Sequence, residues 1–352
     1  MNNELLNYVN KMYVNKILEK RMLFSATIEL LTKCNLKCIH CYNQDLKPTY
    51  MDFLLFKRIV NDLEEMGCKQ ITLTGGEPLL HPNFVEMYNY CYDKGFKIKI
   101  FTNGLLIDRF IMLFKKKIPY KIEISLYGSN NLVYFNVCKT KNVFDKIFNN
   151  MVLLNQEKIP FCIKTVILEA NVNDFDNISQ ISKDLKKDFR YDIILFNSKN
   201  FTMNQKSNIL TNEHHKIFMR KIRREKINSW LKYKSKNEFK LQNDYLYKCY
   251  AGRRSLFVSA CGGVRICNFA EFSEKNIKNF SLQQIWDSFE QYAAKKENKN
   301  SKCFNCKYRI YCSNCPVATY MAKKGSGTKM KPLKQNCREA KFIYESIKQK
   351  ID

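Results

Sequence analysis

Along residues 23–196, short apolar runs alternate with stretches whose apolar positions recur every three or four residues. FSATIELLT (24–32) predicts a first strand. Asp52 follows as a helix cap, with Leu55, Ile59, Leu63 and Met66 on one helical face and Gly67 as the stop. QITLT (70–74) predicts the second strand and residues 83–94 the next helix. KIKIFT (97–102), KIEISL (121–126), FCIKTVIL (161–168) and YDIILF (191–196) continue the series, with helical patterns between them. Six βα units in a row imply a parallel sheet with crossover helices, an incomplete form of the eightfold barrel. Residues 205–240 are strongly basic and read as a helical bridge, and from Cys249 the texture changes to short strands, turns and cysteines. The fold class is therefore α/β, a partial (β/α)6 TIM-like barrel followed by a small cysteine-rich α+β domain. The expected divisions are an N-terminal segment 1–22, a barrel 23–204, a basic bridge 205–248 and a cysteine-rich domain 249–345.

In such sheets the functional residues gather where the strands end. The first strand leads into LTKCNLKCIHCY (31–42), with Cys34, Cys38 and Cys41 inside eight residues. The second leads into Gly75-Gly76-Glu77-Pro78. Asn103-Gly104, Ser125, Gly128, Glu169, Asn171 and Asn197 follow the later strands. A structural zinc or a fully ligated iron–sulfur cluster takes four thiolates, and the triplet offers three. Either the fourth ligand is distant, or one coordination position is open.

The chain has 352 residues, is 45% hydrophobic and carries 15 cysteines. It has no run of about 18 apolar residues that would span a membrane, and MNNELLNYVNKMYVNK lacks the apolar core of a signal peptide. A cytoplasmic location is expected, where thiols stay reduced and cysteine clusters point to metal. Cys68, Cys91, Cys138 and Cys162 are scattered and read as small core residues. The other eleven fall at 34–41 and 249–337. The net charge of +27 suits an acidic partner, but also a general lysine-rich composition, and no spacing matches a DNA-binding module.

CNLKCIHC, with His40 at the aromatic position, resembles the cysteine motif of the radical S-adenosylmethionine (SAM) superfamily, and GGEP resembles its second signature. The resemblance covers about residues 23–200. It implies that SAM itself completes the open iron of a 4Fe–4S cluster held by Cys34, Cys38 and Cys41. Electron transfer from that cluster would cleave SAM to a 5′-deoxyadenosyl radical that abstracts hydrogen from substrate. It also implies SAM contacts from His40, Gly75, Gly76, Glu77, Pro78 and Ser125, with weaker claims for Asn103, Lys164 and Asn171. No catalytic acid or base is singled out.

The C-terminal cysteines resemble the SPASM extension, which carries auxiliary iron–sulfur clusters. By that resemblance one cluster takes Cys249, Cys267 and Cys315, with Cys261 as a candidate fourth ligand. The other takes Cys303, Cys306, Cys312 and Cys337, making three 4Fe–4S clusters in all. Two departures stand out: the Cys312–Cys315 gap is one residue short, and Cys261 sits at a turn before Gly262.

The implied activity is oxidation or crosslinking, through thioether or C–C bonds, of a ribosomally made peptide with an acidic leader. Electrons would come from a flavodoxin or ferredoxin. A sulfatase-maturase-like or cofactor-biosynthetic enzyme is the alternative within the superfamily, and a zinc-stabilised binding protein is the alternative outside it.

Overall fold

The structure is a computed structural model that describes residues 21–43, 46–196, 208–225, 227–228, 244–324 and 332–351. Residues 1–20 of the N-terminal segment, Asn197, and residues 205–207, 226 and 229–243 of the basic bridge lie outside the described residues.

Strand β1 (Ser25–Glu29) is followed by helix α1 (Phe53–Glu65). Asp52 caps that helix, its carboxylate accepting from the backbone N–H of Leu54 at 2.8 Å and of Leu55 at 3.0 Å. Phe56, Ile59, Val60 and Leu63 bury one face of it, and Gly67 turns the chain with φ +74°. The alternation continues through β2 (Gln70–Thr74), α2 (Phe84–Asp93), β3 (Lys97–Thr102), α3 (Ile107–Lys116) and β4 (Lys121–Ser125). Two helices, α4 (Asn131–Cys138) and α5 (Phe144–Gln156), lead to β5 (Phe161–Val166). Helix α6 (Phe175–Asp184) and β6 (Phe189–Asp192) close the series.

The last strand is displaced from the position its apolar run suggests. It ends at Asp192 because that side chain accepts from the N–H groups of Ile193 at 2.7 Å and Ile194 at 2.9 Å. This local turn takes the chain out of the sheet before IILF can join it. Edge strand β6 is covered by helix α7 (Asn212–Lys221), whose Phe218 and Met219 pack with Phe175, Ile167 and Ile193.

The sheet does not stop at β1. Strand β7 (Ser255–Val258) pairs with β1 in parallel, Ser25 opposite Ser255. Strands β8 (Gly263–Arg265) and β9 (Lys275–Asn276) follow in antiparallel pairing. The order is β6-β5-β4-β3-β2-β1-β7-β8-β9. The cysteine-rich region thus shares a sheet with the barrel, and also one core: Leu256, Val258, Trp286 and Phe289 join the cluster that holds Ile28, Ile71 and Ile100. Helices α8 (Leu282–Ser288), α9 (Glu290–Ala293), α10 (Pro316–Lys324) and α11 (Lys334–Ile351) complete the described chain. Among the described residues no helix is long and apolar enough to cross a membrane.

Strand alternation sorts the side chains. Ile124 faces the helices, since a Cβ on Gly104 would meet both Ile124 and Ile147 of α5. Glu123 therefore faces the other way, into the curve of the sheet. There it pairs with Lys164, whose ammonium lies 4.0 Å from the Phe101 ring centre.

Candidate active site

The cysteine loop leaves β1 and is stitched to the end of β2. Leu30 N–H donates to the Thr74 carbonyl, Gly76 N–H to Leu31 and Glu77 N–H to Lys33, all within 3.0 Å. Glycine is required here. A Cβ on Gly75 would stand 2.5 Å from the Leu31 carbonyl oxygen, and one on Gly76 would overlap the Lys33 carbonyl. The two glycines thus let GGEP lie against the loop that carries the cysteines.

Glu77 has no exposed surface. One carboxylate oxygen accepts from Leu79 N–H at 3.1 Å and the Thr102 hydroxyl at 2.7 Å; the other accepts from Asn103 N–H at 2.7 Å. Burial pushes its pKa up to about 7 against the pull of those bonds. Glu77 therefore braces the ends of β2 and β3 together. Pro78, also buried, opens the short turn that follows.

Asn103 reaches back over the loop. Its amide nitrogen donates to Asn35 Oδ1 at 2.7 Å and lies 3.8 Å from Cys34 Sγ. Cys34 Sγ also accepts from Leu36 N–H at 3.4 Å. Burial pushes the Cys34 thiol up to about 12. Cys38 is raised well above the usual thiol range, first by its contact with the Cys138 thiol and then by burial. Cys41 N–H donates to the Cys38 carbonyl at 3.0 Å.

His40 meets Tyr127 edge to face at 4.6 Å. Its Nδ1 is buried without a hydrogen-bond partner, and burial lowers its pKa to about 4, so it is neutral at pH 7. Asn208 closes over this end of the loop, donating to the Ile39 carbonyl at 3.0 Å.

Ser125 and Tyr127 line a cavity of about 240 Å³ with Lys164, Arg190 and Asp192. Burial lowers the Lys164 pKa, partly offset by Glu123. Asn171 ties strand ends together, accepting from Leu168 N–H at 2.8 Å and donating to the Tyr127 and Val166 carbonyls at 3.1 Å each.

Three sulfurs with amide donors aimed at one of them suit an iron–sulfur cluster, whose potential depends on hydrogen bonds to sulfur. Among the described residues no three His, Cys, Asp or Glu side chains converge on a point as a single ion requires. A cube spreads its cysteines over separate irons, so its ligands need not meet.

The C-terminal cysteines assemble in two groups. Cys303, Cys306, Cys312 and Cys337 line one cavity of about 280 Å³ with Lys248 and Arg309. Cys249, Cys267 and Cys315 are electrostatic neighbours, and burial pushes Cys267 up to about 12. Cys261 is exposed between β7 and β8, with its thiol 3.2 Å from the Ser259 hydroxyl.

Residues 28–180 match the family model described as the Radical SAM superfamily. The chain belongs to that superfamily. This radical SAM enzyme is 22% identical over 327 residues to the AdoMet-dependent heme synthase of Methanosarcina barkeri, covering 84% of this chain and 91% of that one. It is 27% identical over 320 residues to the antilisterial bacteriocin subtilosin biosynthesis protein AlbA of Bacillus subtilis, covering 82% of this chain and 66% of the relative. Its fold matches that of Streptococcus suis SuiB, solved with S-adenosylmethionine, at a TM-score of 0.65 and 17% identity over 91% of this chain and 80% of that one. SuiB has also been solved with its precursor peptide SuiA.

Sequence reading missed three contacts around the cysteine loop. Asn103 supports Cys34, Cys138 touches Cys38, and Asn208 closes the loop. Asn103 carried a weak signal as a strand-end residue. The other two are brought in from 100 and 169 residues away, which no local pattern reports.

Proposed function

We propose that this enzyme oxidises or crosslinks a ribosomally made peptide, with the barrel 23–204 handling SAM and the region 249–345 carrying two auxiliary 4Fe–4S clusters. The observation that carries this reading is the gathering of Cys303, Cys306, Cys312 and Cys337 around one cavity. A SAM-cleaving centre alone leaves those four thiols unexplained. Likeness to the subtilosin biosynthesis protein and to peptide-bound SuiB supports a peptide substrate.

Cys34, Cys38 and Cys41 would hold the SAM-binding cluster. When bound, that cluster supplies the electron that splits SAM. His40, Gly75, Gly76, Glu77, Pro78 and Ser125 would shape the SAM pocket, with Glu77 acting largely through the turn it braces. Cys249, Cys267 and Cys315 would hold one auxiliary cluster, with Cys261 as the candidate fourth ligand. The charge of +27 suits an acidic leader peptide and an acidic flavodoxin or ferredoxin as electron donor.

Anaerobic co-expression with a short peptide encoded beside this gene tests the reading. Loss of two hydrogens per modified site is expected, and fragmentation would locate the bond. A second reading, conversion of a haem precursor, is favoured by the 91% coverage of the heme synthase. It replaces the first if no peptide changes mass while a haem precursor is turned over.

A further inference from the structure

Cys138 is fully buried at the end of α4, and its sequence context is that of a core residue. Its sulfur nevertheless lies 3.6 Å from Cys38 Sγ. The approach is built into the backbone. Lys37 N–H donates to the Cys138 carbonyl at 3.1 Å, and Ile39 N–H donates to the Val137 carbonyl at 2.9 Å. These bonds flank Cys38 on both sides and dock the cysteine loop on the last turn of α4. They use carbonyls that the helix end leaves without partners. The buried Cys68 makes a useful contrast, since its sulfur faces the Phe24 and Gln70 carbonyls at 3.5 Å.

We propose that Cys138 is a positioning residue for the SAM-cleaving centre, its S–H donating to the Cys38 sulfur and favouring the reduced state. The inference rests on Cys38 being a cluster ligand. As a ligand, Cys38 is a thiolate with no proton to give, so the thiol opposite must be the donor. Reduction adds negative charge to the centre, and a donor at its sulfur stabilises that charge. The potential then lies higher than it would without the bond. S–H is a weak donor, so the effect is modest and concerns ease of reduction rather than assembly.

The test is a potentiometric titration followed by electron paramagnetic resonance, reading the cluster signal that changes when SAM is added. Cys138→Ala and Cys138→Val remove the donor, while Cys138→Ser keeps one. Both apolar variants should show a several-fold lower ratio of reduced to oxidised centre at a fixed potential, where tenfold equals about 59 mV for one electron. Cys138→Ser should match or exceed the wild type. If neither apolar variant assembles the centre but Ser does, Cys138 acts in assembly and the role in reduction is overturned. Equal potentials across all variants, or equal loss of the centre in all three, would overturn it and leave Cys138 as packing. Absence of a SAM-responsive signal in the wild type would instead sink the ligand assignment on which the inference depends.

Discussion

The two cysteine regions are held by different means. The loop 31–42 rests on a regular βα frame, and backbone bonds to the end of β2 and to α4, with the Asn208 side-chain amide on the Ile39 carbonyl, fix it from three sides. Among its described residues the region 249–337 has short strands and mostly short helices, and four of its thiols surround a cavity. In the first region the protein builds the ligand geometry. The second is joined to the barrel through the shared sheet and core, and metal bound by its thiols would add cohesion locally around Cys303, Cys306, Cys312 and Cys337.

Single cysteine replacements test this contrast most strongly. Cys38→Ala should abolish 5′-deoxyadenosine formation while leaving the barrel folded. Cys306→Ala should spare SAM cleavage, stop turnover of the proposed peptide substrate and loosen its own region. Chromatography of 5′-deoxyadenosine, product mass and hydrogen exchange of α10 and α11 read the three effects. Retained turnover in Cys306→Ala would break the comparison.

A smaller effect is expected from the frame itself. Gly76→Ala forces a methyl group against the Lys33 carbonyl, and overpacking of this kind costs about 1–3 kcal/mol. Thermal unfolding should show that loss together with weaker SAM binding, and the exchange rates of residues 303–337 should not change. Unaltered SAM binding would mean that the loop does not depend on the glycine contact.

An effect that depends on pH concerns Glu77. Its pKa is raised from 4.5 to about 7, so the folded state holds the proton more tightly than the unfolded chain. The associated stability is fully present below pH 4.5 and is lost as pH rises through about 7. Relative to Glu77→Gln, the wild type should gain stability as pH falls from 8 to 5. A constant difference across that range would contradict the burial of this carboxylate.

The same contrast separates what could be read from the chain alone. Strands β2 and β3 lie where their patterns predict, because alternation and turn residues are local signals. The triplet is legible because its three thiols lie within eight residues. Strand β6 was misplaced because the Asp192 turn outweighs the apolar run after it. The join between β7 and β1 escaped notice because its partners are some 230 residues apart.

Sequence by itself determined the βα order, the glycine-dependent turn after β2 and the superfamily, since each is written in spacings of a few residues. Tertiary structure alone decided that Cys138 meets Cys38, that Asn103 reaches Cys34, and that Asn208 closes on Ile39. Those contacts form only when the chain closes long loops, and the burial of the whole core offsets that entropic cost rather than any local preference.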